Sequence, residues 1–243
     1  MGEFSSITRT GKHEPFGLHV KRGYVQGHSH VYKFGYNVSV GTSAMLVWDG
    51  GSDYTYPTSA AQLGVVGTST TDNSQITVQG VDADYNYVSN IVTLNGTTTV
   101  TTSASYLRAY RAFVSDDNEP AGEVTIRHSG DLVAKIHAGE GQTLMATYTV
   151  PAGHTAYLTQ LVLGSATEQS NKFLRIRLRA KESDGIFRTK AKYTLAGQNF
   201  EETFDVPLVF NKKTDIEVTA ESSSNIQEVS AMFDLILIKN ESA

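Results

Sequence analysis

Apolar and polar residues alternate with a period of two along most of this chain. The pattern is clear in AMLVW (44–48), SQITVQGV (74–81), YVSNIVTL (87–94), LRAYRAFV (107–114) and EVTIR (123–127). It returns in TAYLTQLVL (155–163), FLRIRLRA (173–180), FEETFDVPLVF (200–210), DIEVTA (215–220) and EVSAMFDLILI (228–238). Alternation rich in Val, Ile, Thr and Tyr predicts strands with one buried face. Turn formers interrupt it at short intervals, among them 82–86, Asn95-Gly96, Pro151-Ala152-Gly153 and Asp184-Gly185. Helical periodicity with caps is absent; the stretch 59–63 offers a single turn at best. Many short strands with polar turns describe sandwiches and jelly rolls.

These strands are too many for one small sandwich. A glycine-rich stretch, HSGDLVAKIHAGEGQ (128–142), is the natural junction. The expected architecture is all-β: an extended N-terminal arm (1–40), a first antiparallel β-sandwich (41–135) and a second, jelly-roll-like sandwich (136–243). The arm has frequent glycines and too little apolar volume for a core of its own. Its rings, including Phe16, Tyr24, Tyr32, Phe34 and Tyr36, therefore need a neighbouring surface to bury against. Gly27 and Gly35 are expected to let the chain bend.

Composition narrows the function. The chain has 243 residues, 40% hydrophobic and 19% charged, with net charge −5, enough for two cores and too acidic for a protein built to coat nucleic acid. Cysteine is absent, which removes disulfides and thiolate sites. No apolar run approaches the roughly 20 residues that cross a bilayer, and the first fifteen residues lack a secretory core, so no membrane partner is expected.

Candidate chemistry is sparse. His28 and His30 share one strand face and could contact one metal ion, but no carboxylate follows before Asp49. Hydrogen bonding is the better expectation for them, as part of a docking surface. Asp82, Asp84 and Asn86 mimic the opening of a calcium loop, yet the sixth and twelfth positions hold Tyr87 and Thr93, and a hairpin loop fits better. No nucleophile elbow or phosphate-cradling loop occurs, so neither an enzyme nor a cofactor is expected. The most informative stretch is the hairpin 173–195, closed by Asp184-Gly185. Its expected register puts Leu174, Ile176, Leu178 and Ala180 on a core face. The other face gathers Arg175, Arg177, Arg179 and Lys181 with Arg188, Lys190 and Lys192, pairing Lys181 with Arg188, Arg179 with Lys190 and Arg177 with Lys192. Like charges directly opposite repel, so an anionic partner is expected. It is either Glu201, Glu202 or Asp205 on the following strand, or an acidic surface on another protein. WDGGSDYTY offers Trp48, Tyr54 and Tyr56 as a carbohydrate-binding cluster, with Trp48 the better fit to a core plug.

Taken together, GHSHVYKFGYN (27–37), LVWDGGSDYTYP (46–57), residues 76–114, AGEGQTLMATYTVPAGHTAYLTQ (138–160) and FRTKAKYTLAG (187–197) resemble a recurring type of tailed-bacteriophage virion protein. The resemblance covers nearly the whole chain and rests on turns and strand pairs. It implies a non-enzymatic accessory structural protein of the virion: a capsid decoration (cement) protein, or alternatively a neck- or tail-associated or receptor-binding one. The implied partner is the major capsid protein or another virion protein; weakly protected strand edges such as TTTVTT (97–102) add the expectation of a symmetric homo-oligomer, a trimer first.

Overall fold

The computed structural model describes residues 5–7, 13–51, 53–166, 172–224 and 227–240. Strands β1 (Ser5–Ile7) and β2 (His13–Pro15) pair as a short hairpin, and helix α1 (Phe16–Lys21) follows. Next come β3 (His28–Val40) and the short β4 (Met45–Leu46). Strands β5 (Ala61–Gly67), β6 (Gln75–Val81), β7 (Tyr87–Thr93), β8 (Val100–Tyr106), β9 (Arg108–Val114), β10 (Val124–His128) and β11 (Asp131–Ile136) build one sandwich. Its sheets run β11-β10-β5-β8 and β7-β6-β9, and both are antiparallel. The chain continues through β12 (Thr147–Thr149), β13 (His154–Ala166), β14 (Leu174–Glu182), β15 (Arg188–Leu195), β16 (Phe200–Phe210), β17 (Thr214–Ser222) and β18 (Gln227–Lys239).

Those later strands form a second sandwich together with β3. One sheet runs β16-β13-β18-β3; the facing sheet runs β12-β17-β14-β15, with β4 also paired to β17. Counted from β3, this is the eight-stranded jelly-roll connectivity, with β5–β11 inserted between its first and second strands. Alternation supplies both cores. Leu158, Leu161, Leu163, Leu174, Ile176, Leu178, Val218 and Phe233 fill the jelly roll, while Trp48, Leu63, Ile76, Val78, Ile126 and Met145 fill the inserted sandwich.

The N-terminal arm is therefore shorter than the sequence pattern indicates. It ends at Gly27, and residues 28–40 form the first strand of the jelly roll, pairing antiparallel with β18 over their full length. The physical reason lies in alternation: Lys33, Gly35, Asn37 and Val40 turn inward and are buried. Residues 59–63 also differ from expectation. Residues 61–63 open β5, and the α-helix among the described residues is the six-residue α1.

Gly27 does bend the chain, with φ +73°. Gly35 serves another purpose. A Cβ there would lie 2.1 Å from the Val47 carbonyl oxygen and 2.3 Å from the Ala146 nitrogen, two groups that hydrogen-bond to each other at 2.9 Å. The strand crosses that bond so closely that only a hydrogen fits. Gly35→Ala should cost about 2–3 kcal/mol by overpacking, whereas Gly41→Ala, with nothing within 4 Å of its Cβ position, should be near neutral. Chemical denaturation of both variants checks this; equal stability would mean the crossing is slack.

Candidate functional site

Period two places His28, His30, Tyr32, Phe34 and Tyr36 on one face of β3, the outer face of its sheet. Each has a local partner. His28 Nδ1 lies 3.0 Å from the Gln26 carbonyl oxygen, and its ring meets Phe16 edge-on. His30 Nε2 contacts Asp234 Oδ1 at 3.0 Å, and the Tyr36 hydroxyl donates to Glu228 at 2.8 Å. Tyr32 donates to the Met232 sulfur and tilts against Phe34. The histidines thus act as hydrogen-bonding groups of a sheet surface, and among the described residues no group of three or more His, Asp or Glu is arranged to hold a metal ion. Lys33, next to them in sequence, points to the opposite side.

Register extends this stripe across the sheet. His30, Ile236, Tyr157 and Val209 form one row, and Phe34, Met232 and Val162 another. All lie on the side away from the jelly-roll core; Val209 is 55% exposed and the others are partly exposed. Sequence reasoning missed Tyr157, Val162, Val209 and Ile236. Their signal was the run LILI in β18 and the apolar residues on both faces of β13, a pattern of strands covered on two sides. Of the arm, Tyr24 is exposed beneath the Arg22 guanidinium, and Phe16 packs on His28.

The basic hairpin folds with its expected core face and its partner on a different strand. Its register holds from Leu174–Leu195 to Leu178–Ala191. A bulge at Lys190 then sets Arg179 opposite Thr189 and Ala180 opposite Arg188, so the expected Lys181–Arg188 and Arg179–Lys190 pairs do not form. The anions come from β17, on the other side of β14. Glu221 binds Arg175 (3.2 Å) and Arg177 (3.0 Å), Glu217 meets Arg179 at 3.4 Å, and Asp215 meets Lys181 at 3.4 Å. Burial pushes the Glu221 carboxyl up, but the two guanidiniums outweigh it and hold it below the usual range. Glu201 and Glu202 instead bond Gln160 and Tyr193. Arg188, Lys190 and Lys192, on the edge strand β15, are exposed and have no carboxylate partner among the described residues. Arg177 and Lys192 do stay directly opposite. Lys192→Thr should therefore raise stability by a few tenths of a kcal/mol in urea unfolding, and a loss would contradict the repulsion.

Asp215 also joins the two sandwiches. Its carboxylate, 1% exposed, accepts bonds from Arg108 of β9 at 3.1 and 3.0 Å and from the Thr149 hydroxyl at 2.7 Å. Burial opposes the Arg108 charge, yet Asp215 outweighs it and keeps the guanidinium pKa above its ordinary value. Beside this pair Trp48, Tyr54 and Tyr56 stack edge to face at 5.3 and 4.8 Å, and Tyr56 donates to Glu217 at 2.8 Å. Trp48 is wholly buried, so the cluster is a core plug and no carbohydrate platform. Asp82, Asp84 and Asn86 form the β6–β7 hairpin loop, where Asp82 Oδ1 accepts the backbone N–H groups of Asp84 and Asn86.

A cleft of about 710 Å³ opens where the inserted sandwich meets β3. Lys33 forms part of its wall, 4% exposed, donating from Nζ to the Tyr110 carbonyl oxygen. Burial pushes its pKa down to about 7, and the nearby Arg111 charge adds to the effect.

No protein-family model matches this sequence, and no curated protein does. Among solved structures, the chain aligns with one titled as the structure of infectious bursal disease virus, Gt strain, at 12% identity over 88% of this chain and 73% of that one, with a TM-score of 0.26. It also aligns with the VP2 subviral particle of that virus at 9% identity, over 90% and 78%, with a TM-score of 0.20. Likeness of that degree carries no argument about what this chain does.

Proposed function

We propose that this chain is a non-enzymatic structural protein of a virion, a capsid decoration (cement) protein that binds the particle surface. The sequence resemblance to phage virion proteins supports this reading, and one structural observation carries it further. The outer face of the sheet β16-β13-β18-β3 presents rings and aliphatic side chains in ordered rows. A broad, flat, partly apolar sheet face suits attachment to another protein surface. The exposed Arg188, Lys190 and Lys192 lie on β15, the edge of the facing sheet, and offer a second, basic patch to an acidic neighbour on the particle. In the same proposal, copies assemble as a symmetric oligomer, a trimer to be tested first by light scattering.

Particle binding tests the reading directly. Ile236→Glu with Val209→Glu puts two carboxylates into the outer row without touching either core. The variant should keep its melting temperature and lose attachment to stripped particles at least tenfold, while native particles should carry the protein in hundreds of copies. Unchanged attachment, or a few copies confined to the tail, would sink the decoration role.

A further inference from the structure

The cleft between the sandwiches combines features the outer sheet face lacks. At about 710 Å³ it has the size of a small-ligand site and is far too small for a folded partner. Tyr87, at 54% exposure, is among the residues that line it. Gln79, Gln142 and Thr143 supply amide and hydroxyl groups along the wall. Positive charge comes from Lys21 and Arg111, with Lys33, bonded to the Tyr110 carbonyl, only partly protonated near pH 7, and none of the described residues lining the cleft is a carboxylate.

Arg111 is also held in position. Its guanidinium lies 4.6 Å from the Phe113 ring centroid and donates one N–H to Gln142 at 3.3 Å. A guanidinium has five N–H donors, so enough remain for a two-pronged contact with a carboxylate. A ring that covers C–H faces, amides that match hydroxyls and a fixed guanidinium together describe a site for a carboxylated sugar.

We propose that this cleft binds an acidic carbohydrate, a pyranose bearing a carboxylate, with Arg111 on the carboxylate and Tyr87 against the ring. The assignment rests on Tyr87 and Arg111, which lie outside the outer stripe of β3, so substitutions there separate it from the decoration role.

Isothermal titration of the full chain with tri-galacturonate and with sialyllactose tests it. Measurable binding of either is expected, with the neutral maltotriose at least tenfold weaker. Arg111→Gln and Tyr87→Ala should each weaken the acidic sugar at least tenfold, and Lys190→Gln, on the distant basic edge, should leave it unchanged. Tyr87 is half exposed, so its variant tests the site even if the Arg111 variant folds poorly. No binding of either acidic sugar would overturn the proposal. So would equal affinity for tri-glutamate, which would make the cleft an acidic-peptide site, or a loss caused by Lys190→Gln and not by Arg111→Gln.

Discussion

Asp215→Ala is expected to destabilise the protein by about 3–5 kcal/mol, the cost of breaking a buried ion pair from one side. The carboxylate takes two bonds from Arg108, one from Thr149 and the nearby charge of Lys181. Removing it leaves a guanidinium with little access to water and an opposing cation close by. Replacing Arg108 and Asp215 together with apolar residues of similar volume should recover part of that loss, because no guanidinium is then stranded and Lys181, which loses its carboxylate, still reaches water. Equilibrium denaturation of the single and double variants measures both outcomes. A loss under about 1 kcal/mol for Asp215→Ala would show that water reaches the seam and the pair is no anchor.

The second large effect depends on pH. Lys33 has a folded-state pKa of about 7 against 10.5 for the free side chain. Below pH 7 both states hold the proton, and the folded protein bears the full penalty of a buried ammonium. Between pH 7 and 10.5 the unfolded chain keeps the proton while the folded protein has released it, so stability rises with pH across that window. Relative to Lys33→Met, the wild type should gain about 2–3 kcal/mol between pH 6 and pH 9. Groups common to both proteins cancel in that comparison. Parallel pH profiles for the two would show that Lys33 is hydrated rather than desolvated.

Local rules reached the strands and stopped at their partners. The alternation in FLRIRLRA placed Leu174, Ile176, Leu178 and Ala180 in the core, and the Asp184-Gly185 turn placed the hairpin. The same rules could not say that β14 has β17 on its other side, because that adjacency is set by jelly-roll connectivity and not by the next residues along the chain. Glu201, Glu202 and Asp205 are the carboxylates of the next strand in sequence; Asp215, Glu217 and Glu221 are the ones that meet the hairpin in space. Nor does any local pattern join Arg108 to Asp215, since each sits in an ordinary strand. Residues 28–40 carried a strand signal, but their glycines and rings read equally as an arm. Only the need of β18 for a neighbour decides between the two, and β18 is far away in sequence. The cleft is illegible for the same reason, since its walls come from β3, β6, β7, β9 and the chain around β12.

The insertion also orders events during synthesis. Strand β3 is made early, yet its partner β18 emerges only much later: Tyr32 meets Met232, 200 residues further on. Pairing between such distant strands is slow because a long loop must close first. The inserted sandwich has no such wait, since all its strands lie between residues 61 and 136. It can form on the ribosome while β3, with its rings and its buried lysine, is still without a sheet. For that interval His28–Val40 is an unpaired strand carrying exposed aromatics, and a chaperone or a second nascent chain that captures it would act there.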